Sequence, residues 1–144
     1  MLKPLLLAAA LLGLLGAPVY ADDQELEANE NGQVEFTMPS GNVGCIYTPE
    51  GGTDVYQPQD GGPELSCDRV EPSYVNVVLG PFGKAKRHNN PGEQGCCSLE
   101  QVFEYGNTAY FDGFVCYSET TGLSCETDDA EHGFHMSKAS IRVW

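Results

Sequence analysis

Apolar and polar residues alternate in short runs along most of this chain, with turn residues between them. Val34, Phe36 and Met38 alternate with Glu35 and Thr37, the two-residue period of a half-buried strand. Pro39-Ser40-Gly41-Asn42 marks a turn. Val43 to Tyr47 reads as a second short strand. Residues 49–63 are rich in Gly, Pro, acids and amides and read as a loop. Strand character resumes at Leu65 to Val70 and is strongest at Tyr74 to Leu79, which is rich in Val and Tyr. Gly80-Pro81-Phe82-Gly83 is a turn, Lys84 to His88 is a candidate return strand, and Asn89-Asn90-Pro91-Gly92 ends it.

Thr108 to Phe111 and Phe114 to Ser118 flank Asp112-Gly113, a two-residue hairpin signal. Leu123 to Thr127 follows the turn at 120–122. Near the end, Phe134 and Met136 share one parity, while Ala139, Ile141 and Val143 share the other. One continuous strand would put these sets on opposite faces, which predicts a bulge or bend near Ser137-Lys138. The single helical signal is Ser98 with Gln101 three positions on, the spacing of a capping box, followed by Leu99, Val102 and Phe103 on one face. It predicts a two-turn helix over 99–105, closed at Gly106. No repeat of useful length is visible. The expected fold is all-β, with one short helix at most: a small antiparallel β-sandwich or partly open barrel stapled by disulfides.

The N-terminus carries a different pattern. Lys3 precedes an apolar run from Leu5 to Leu15, Val19-Tyr20-Ala21 offers small residues at a cleavage site, and Asp22-Asp23 follows. This is the three-part layout of a secretory signal, residues 1–21, and the run is short for a bilayer span. No transmembrane segment is expected once it is removed. Residues 22–32 have little to bury and read as an acidic disordered tail. Residues 33–144 form the single domain.

Charge narrows the choice of partners. The chain has a net charge of −14. Loss of Lys3 leaves six basic against 21 acidic residues, a net charge of −15. Such a surface repels nucleic acid and anionic lipid and favours a cationic protein. Lys84, Lys86, Arg87 and His88 form the one basic concentration, readable as a recognition patch or as a solvated turn.

All six cysteines, Cys45, Cys67, Cys96, Cys97, Cys116 and Cys125, follow the signal segment. An even count in a small exported chain reads as disulfides, and the expected compartment is the periplasm or the exterior. Cys116 and Cys125 flank a hairpin turn and share parity with Phe114 and Leu123. Their bond is worth roughly 2.5–3 kcal/mol by loop entropy. Cys45 and Cys67 flank the Gly/Pro-rich loop, and bridging them is worth about 3 kcal/mol. Cys96 and Cys97 are left either to each other, as a strained vicinal bond, or each to a distant partner.

Ser40-Gly41-Asn42-Val43-Gly44-Cys45, Gly113-Phe114-Val115-Cys116, Gly122-Leu123-Ser124-Cys125 and His132-Gly133-Phe134-His135-Met136-Ser137-Lys138-Ala139 resemble a family of small exported actinobacterial and proteobacterial proteins. That family is known only as a domain of unknown function. The resemblance covers most of residues 34–144. It implies the 45–67 and 116–125 pairs, a β fold and an exported location, and it carries no catalytic residue. The middle of the chain departs from the family, around Cys96-Cys97.

Chemistry-bearing motifs are sparse. His132 and His135, with Glu126, Asp128, Asp129 and Glu131 nearby, have the residue types of a cation site, but a strand puts the two histidines on opposite faces. His132 is expected to donate a structural hydrogen bond beside Gly133. No nucleophile elbow, zinc-protease helix or phosphate loop is present in the sequence. The expectation is therefore a non-enzymatic binding module without cofactor or metal. One version is an inhibitor of a basic cell-wall hydrolase such as lysozyme. The alternatives are a structural envelope protein and a cation-binding protein or enzyme built around Glu126–His135.

Overall fold

The computed structural model describes residues 22–93, 97 and 101–144. Eleven strands form two sheets: β1 (Asp22–Asp23), β2 (Val34–Thr37), β3 (Val43–Thr48), β4 (Glu64–Arg69), β5 (Val75–Leu79), β6 (Lys86–Asn89), β7 (Asn107–Phe111), β8 (Phe114–Glu119), β9 (Gly122–Thr127), β10 (Gly133–Met136) and β11 (Ile141–Val143). One sheet has the order β2-β3-β4-β5-β6, the other β1-β7-β8-β9-β10-β11. All pairings are antiparallel except that of β1 with β7. The all-β sandwich expectation holds, and the sheets do not close into a barrel.

Alternation along each strand sends one set of side chains into the space between the sheets. Phe36, Leu65, Cys67, Val77 and Leu79 from the first sheet and Phe114, Cys116, Leu123, Cys125, Phe134 and Met136 from the second are fully buried. Aromatic rings join the layers. Phe36 meets Phe103 edge-on at 5.4 Å and stacks on Phe111 at 5.9 Å, and Tyr47 lies 5.0 Å from Phe111. Buried Arg69 crosses between the sheets: its Nη1 donates to the Ser137 carbonyl, and its Nε and Nη2 donate to Ser73.

The two sheets repeat one plan. Each contains a five-strand meander, β2–β6 and β7–β11, with a disulfide between its second and third strands. Cys45–Cys67 and Cys116–Cys125 are bonded as expected, each between residues directly opposite in register with Cα atoms 4.1 Å apart. Both disulfides are buried. Leu65-Ser66-Cys67 and Leu123-Ser124-Cys125 occupy equivalent places, with Leu65 facing Leu79 and Leu123 facing Met136. The expected Cys96–Cys97 bond involves Cys96, which lies outside the described residues, as does the expected signal peptide, residues 1–21.

Two expectations are corrected and a third is sharpened. The first concerns residues 22–32, which are not a free tail. The Gln24 amide N–H bonds the Thr108 carbonyl. The Gln24 side chain donates to Val102 O at 2.7 Å and accepts from Glu104 N and Asn107 Nδ2. Gln101 likewise bonds Glu27 and Glu35. Edge strands have unpaired backbone groups, and these polar contacts satisfy them without any apolar run.

The second concerns the helix over 99–105. No helix occurs among the described residues. Thr37 N donates to Gln101 O and Phe103 N donates to Thr37 O, so 101–103 runs parallel beside β2 and covers its edge. Residues 99 and 100 lie outside the described residues. The third, the bend near Ser137-Lys138, is present and turns the chain fully back on itself. β10 and β11 pair as a hairpin, Phe134 with Val143 and Met136 with Ile141, so Ile141 and Val143 pack on the same core as Phe134 and Met136, while Ala139 is exposed in the turn.

Candidate functional site

The outward residues of β4–β6 form the floor of a groove of about 830 Å³. Register places Ser66, Val78 and Lys86 in one row and Asp68, Asn76 and His88 in the next. Asn76 Nδ2 donates to Ser66 Oγ at 3.0 Å and to Asp68 Oδ1 at 2.9 Å, which fixes its amide on the floor. One wall is the loop at 49–63, contributing Tyr56, Gln57, Gln59 and Asp60. The other is the 80–88 hairpin, contributing Phe82, Lys84, Lys86 and His88.

The loop wall is held by its own bonds, as expected of a compact surface loop. Gly51 N donates to Gly61 O, Thr53 N to Tyr56 O, and Gln57 Nε2 to Thr53 O at 2.7 Å. The loop meets the hairpin at Gly80, where a side-chain methyl would lie 2.8 Å from Asp60 Oδ2. Tyr56 Oη donates to Glu64 Oε1 at 2.8 Å, closing a tyrosine over a carboxylate that is 8% exposed. Burial first, and then the bond and charge of Glu64, push the Tyr56 hydroxyl up to about 12. Beyond Tyr56 lies an adjoining hollow of about 260 Å³ lined by Ile46, Thr48 and Val55.

Large apolar side chains sit at the rims. Phe82 is 87% exposed at the hairpin tip, with Val55 (59%) and Tyr56 (44%) on the opposite loop. Exposed apolar side chains of this size on facing loops are a feature of recognition surfaces.

A second cleft, of about 390 Å³, opens at one end of the sandwich. Met38, Val43, Met136 and Tyr105 line it, with Glu71, Glu119 and Lys138. It brings together Ser40 and Asn42 with Met136, Ser137 and Lys138, from two of the segments that carry the family resemblance. Asn42 itself is committed to structure: its side chain donates to Glu71 O and accepts from Glu71 N.

Of the basic patch seen in the sequence, Lys84, Lys86 and His88 come together in the groove. Arg87 points the other way and donates to Asn89 Oδ1 and Ile141 O. The residues around 126–135 are used separately. His135 Nδ1 pairs with Ser124 Oγ at 2.9 Å. Asp129 accepts from Thr127 Oγ1 and Glu131 N, which hold its carboxyl below the usual range. His132 donates through its backbone N–H to Thr127 Oγ1 at 3.2 Å, while its buried Nδ1 has no hydrogen-bond partner among the described residues. Among the described residues no three His, Cys, Asp or Glu side chains gather to hold a metal.

Sequence reasoning missed Tyr56, Gln57, Gln59, Asp60 and Phe82. The signal available was the parity of Lys84, Lys86 and His88, which places them on one face of a strand opposite Arg87.

Fold and site together define a disulfide-bonded β-sandwich with an open groove on the outer face of one sheet. Comparison with known proteins gives no match: no family model, curated protein or solved structure aligns significantly with the chain. The two disulfides fit an oxidising environment. Among the described residues no helix is long and apolar enough to cross a membrane.

Proposed function

We propose that this protein is an exported, non-enzymatic binding module whose ligand lies in the groove over β4–β6. The observation that carries this is the pair of facing loops, which hold Phe82 and Tyr56 out over a floor of short polar and small apolar side chains. The groove volume falls in the range of ligand sites, and a self-bonded loop wall lowers the ordering cost of binding. Export to the periplasm or exterior accords with the signal pattern of residues 1–21 and with the disulfides. Screening the oxidised protein on glycan and peptide arrays tests the proposal. It expects a saturable ligand whose binding falls in Tyr56→Ala and Phe82→Ala. A ligand held equally well by both variants would remove the groove from the account.

The end cleft favours a second reading, capture of a cationic protein such as a basic cell-wall hydrolase. Glu71 and Glu119 stand over the methionine-lined floor of a chain carrying −14, a setting suited to a Lys or Arg side chain with its aliphatic stem. Inhibition of basic lysozyme should then be strong at low salt and weak at high salt. No inhibition at low salt excludes it.

A further inference from the structure

We infer that the groove takes a carboxylate-bearing oligosaccharide, with the acid groups on the hairpin wall and the sugar rings against Phe82 and Tyr56. This rests on the groove being the binding site.

Charge complementarity comes first. Lys86 and His88 are two residues apart on β6, so their side chains leave the same face about 7 Å apart, and Lys84 extends the row past the strand end. All three are exposed on a chain that is otherwise strongly acidic. A ligand with sparse carboxylates meets this local row on the hairpin side, while Asp60 and Glu64 line the loop side of the groove and favour its hydroxyls there. A polyphosphate, charged at every unit, meets the repulsion of the whole molecule as well.

The floor then decides between a glycan and a peptide. β5 is paired on both sides, to β4 and to β6, so the ladder beneath the groove has its backbone groups engaged. An extended peptide binds a sheet chiefly through main-chain bonds to a free edge; β6 is an edge strand of this sheet, and β4 and β5 beneath the groove are paired on both sides and offer none. What the groove offers are polar side chains, Ser66 and Asn76 on the floor and Gln57, Gln59 and Asp60 on the loop wall. Sugar hydroxyls need such partners and bring no amide backbone that would be left unpaired. Three strands span about 10 Å, wide enough for a sugar ring with its substituents. The exposed rings of Phe82 and Tyr56 supply apolar surface for the C–H faces.

The test is calorimetric titration of the oxidised protein with three carboxylate-bearing oligosaccharides of different linkage, their carboxyl-reduced neutral counterparts, and oligoglutamate. We expect saturable binding of at least one acidic oligosaccharide. Its reduced form and oligoglutamate should bind at least about tenfold more weakly. Lys84→Gln with Lys86→Gln should erase the preference for the acidic form, and Phe82→Ala should weaken both forms. These positions are exposed, and unchanged melting temperatures would confirm that the variants fold. Equal binding of the reduced form, stronger binding of oligoglutamate, or no binding of any acidic oligosaccharide overturns the assignment. Binding that survives Phe82→Ala and Tyr56→Ala unchanged places the ligand elsewhere, and the groove then falls with it.

Discussion

Removing the two disulfides one at a time should destabilise the domain by unequal and calculable amounts. Cys45 and Cys67 are separated by 22 positions, Cys116 and Cys125 by nine. The entropy of closing those loops in the unfolded chain corresponds to about 3.4 and about 2.7 kcal/mol. Each is a large fraction of the ~5–15 kcal/mol typical of a domain. Both bonds are buried, and both join residues directly opposite on neighbouring strands. Paired Cys→Ala substitutions therefore remove similar packing at each site, and the difference between them, about 0.7 kcal/mol, isolates loop length. Guanidinium unfolding of Cys45→Ala/Cys67→Ala and Cys116→Ala/Cys125→Ala gives both numbers. We expect each pair to cost more than about 2 kcal/mol, with the 45–67 pair costing more. A loss below about 1 kcal/mol for both, or a larger loss for the 116–125 pair, would refute loop closure as the source of the stabilisation.

Other consequences follow from single contacts. Gly133→Ala would set a methyl 2.6 Å from the Cys125 carbonyl and 2.8 Å from Trp144 Cζ2, at a cost of about 1–3 kcal/mol, visible as a lowered melting temperature. Arg69→Ala should cost about 1–3 kcal/mol by leaving the Ser73 and Ser137 carbonyls without their donor. Arg69→Lys should restore little, because one ammonium cannot reproduce the fork; urea unfolding of both variants measures this. Tyr56 should titrate near pH 12 by NMR, and Glu64→Gln should bring it down. The folded value lies above the ordinary 10, so the stability from this group is complete below pH 10 and is lost as pH rises through about 12.

The strands were legible because their inward faces are apolar at every second position: Val75, Val77 and Leu79, or Leu123 and Cys125. The hairpin at Asp112-Gly113 was legible from turn chemistry, the 116–125 bond from its hairpin turn and parity, and the 45–67 bond from the Gly/Pro-rich loop that its cysteines flank. Elements held by polar contacts were not. The 22–32 segment has the composition of a free chain, yet Gln24 and Gln101 fasten it through hydrogen bonds that composition does not encode. The repeated meander was hidden because its halves share little beyond Leu-Ser-Cys. Equivalent positions otherwise hold different apolar residues, such as Val77 and Phe134 opposite the cysteines. The C-terminal phase change was visible, but parity alone does not distinguish a bend from a reversal. The groove was the least legible feature, because its polar lining residues come from strands, a loop and a turn that meet only through the register of β4, β5 and β6.

The most direct measurement is an NMR titration of the isotope-labelled, oxidised protein with the acidic oligosaccharide that binds best. Amide shifts confined to 55–60, 64–66, 76–78 and 82–88, with the β7–β11 sheet unmoved, are the predicted result. Shifts centred on the end cleft at 38–43 and 136–138, or spread over the outer face of β8–β10, would contradict it.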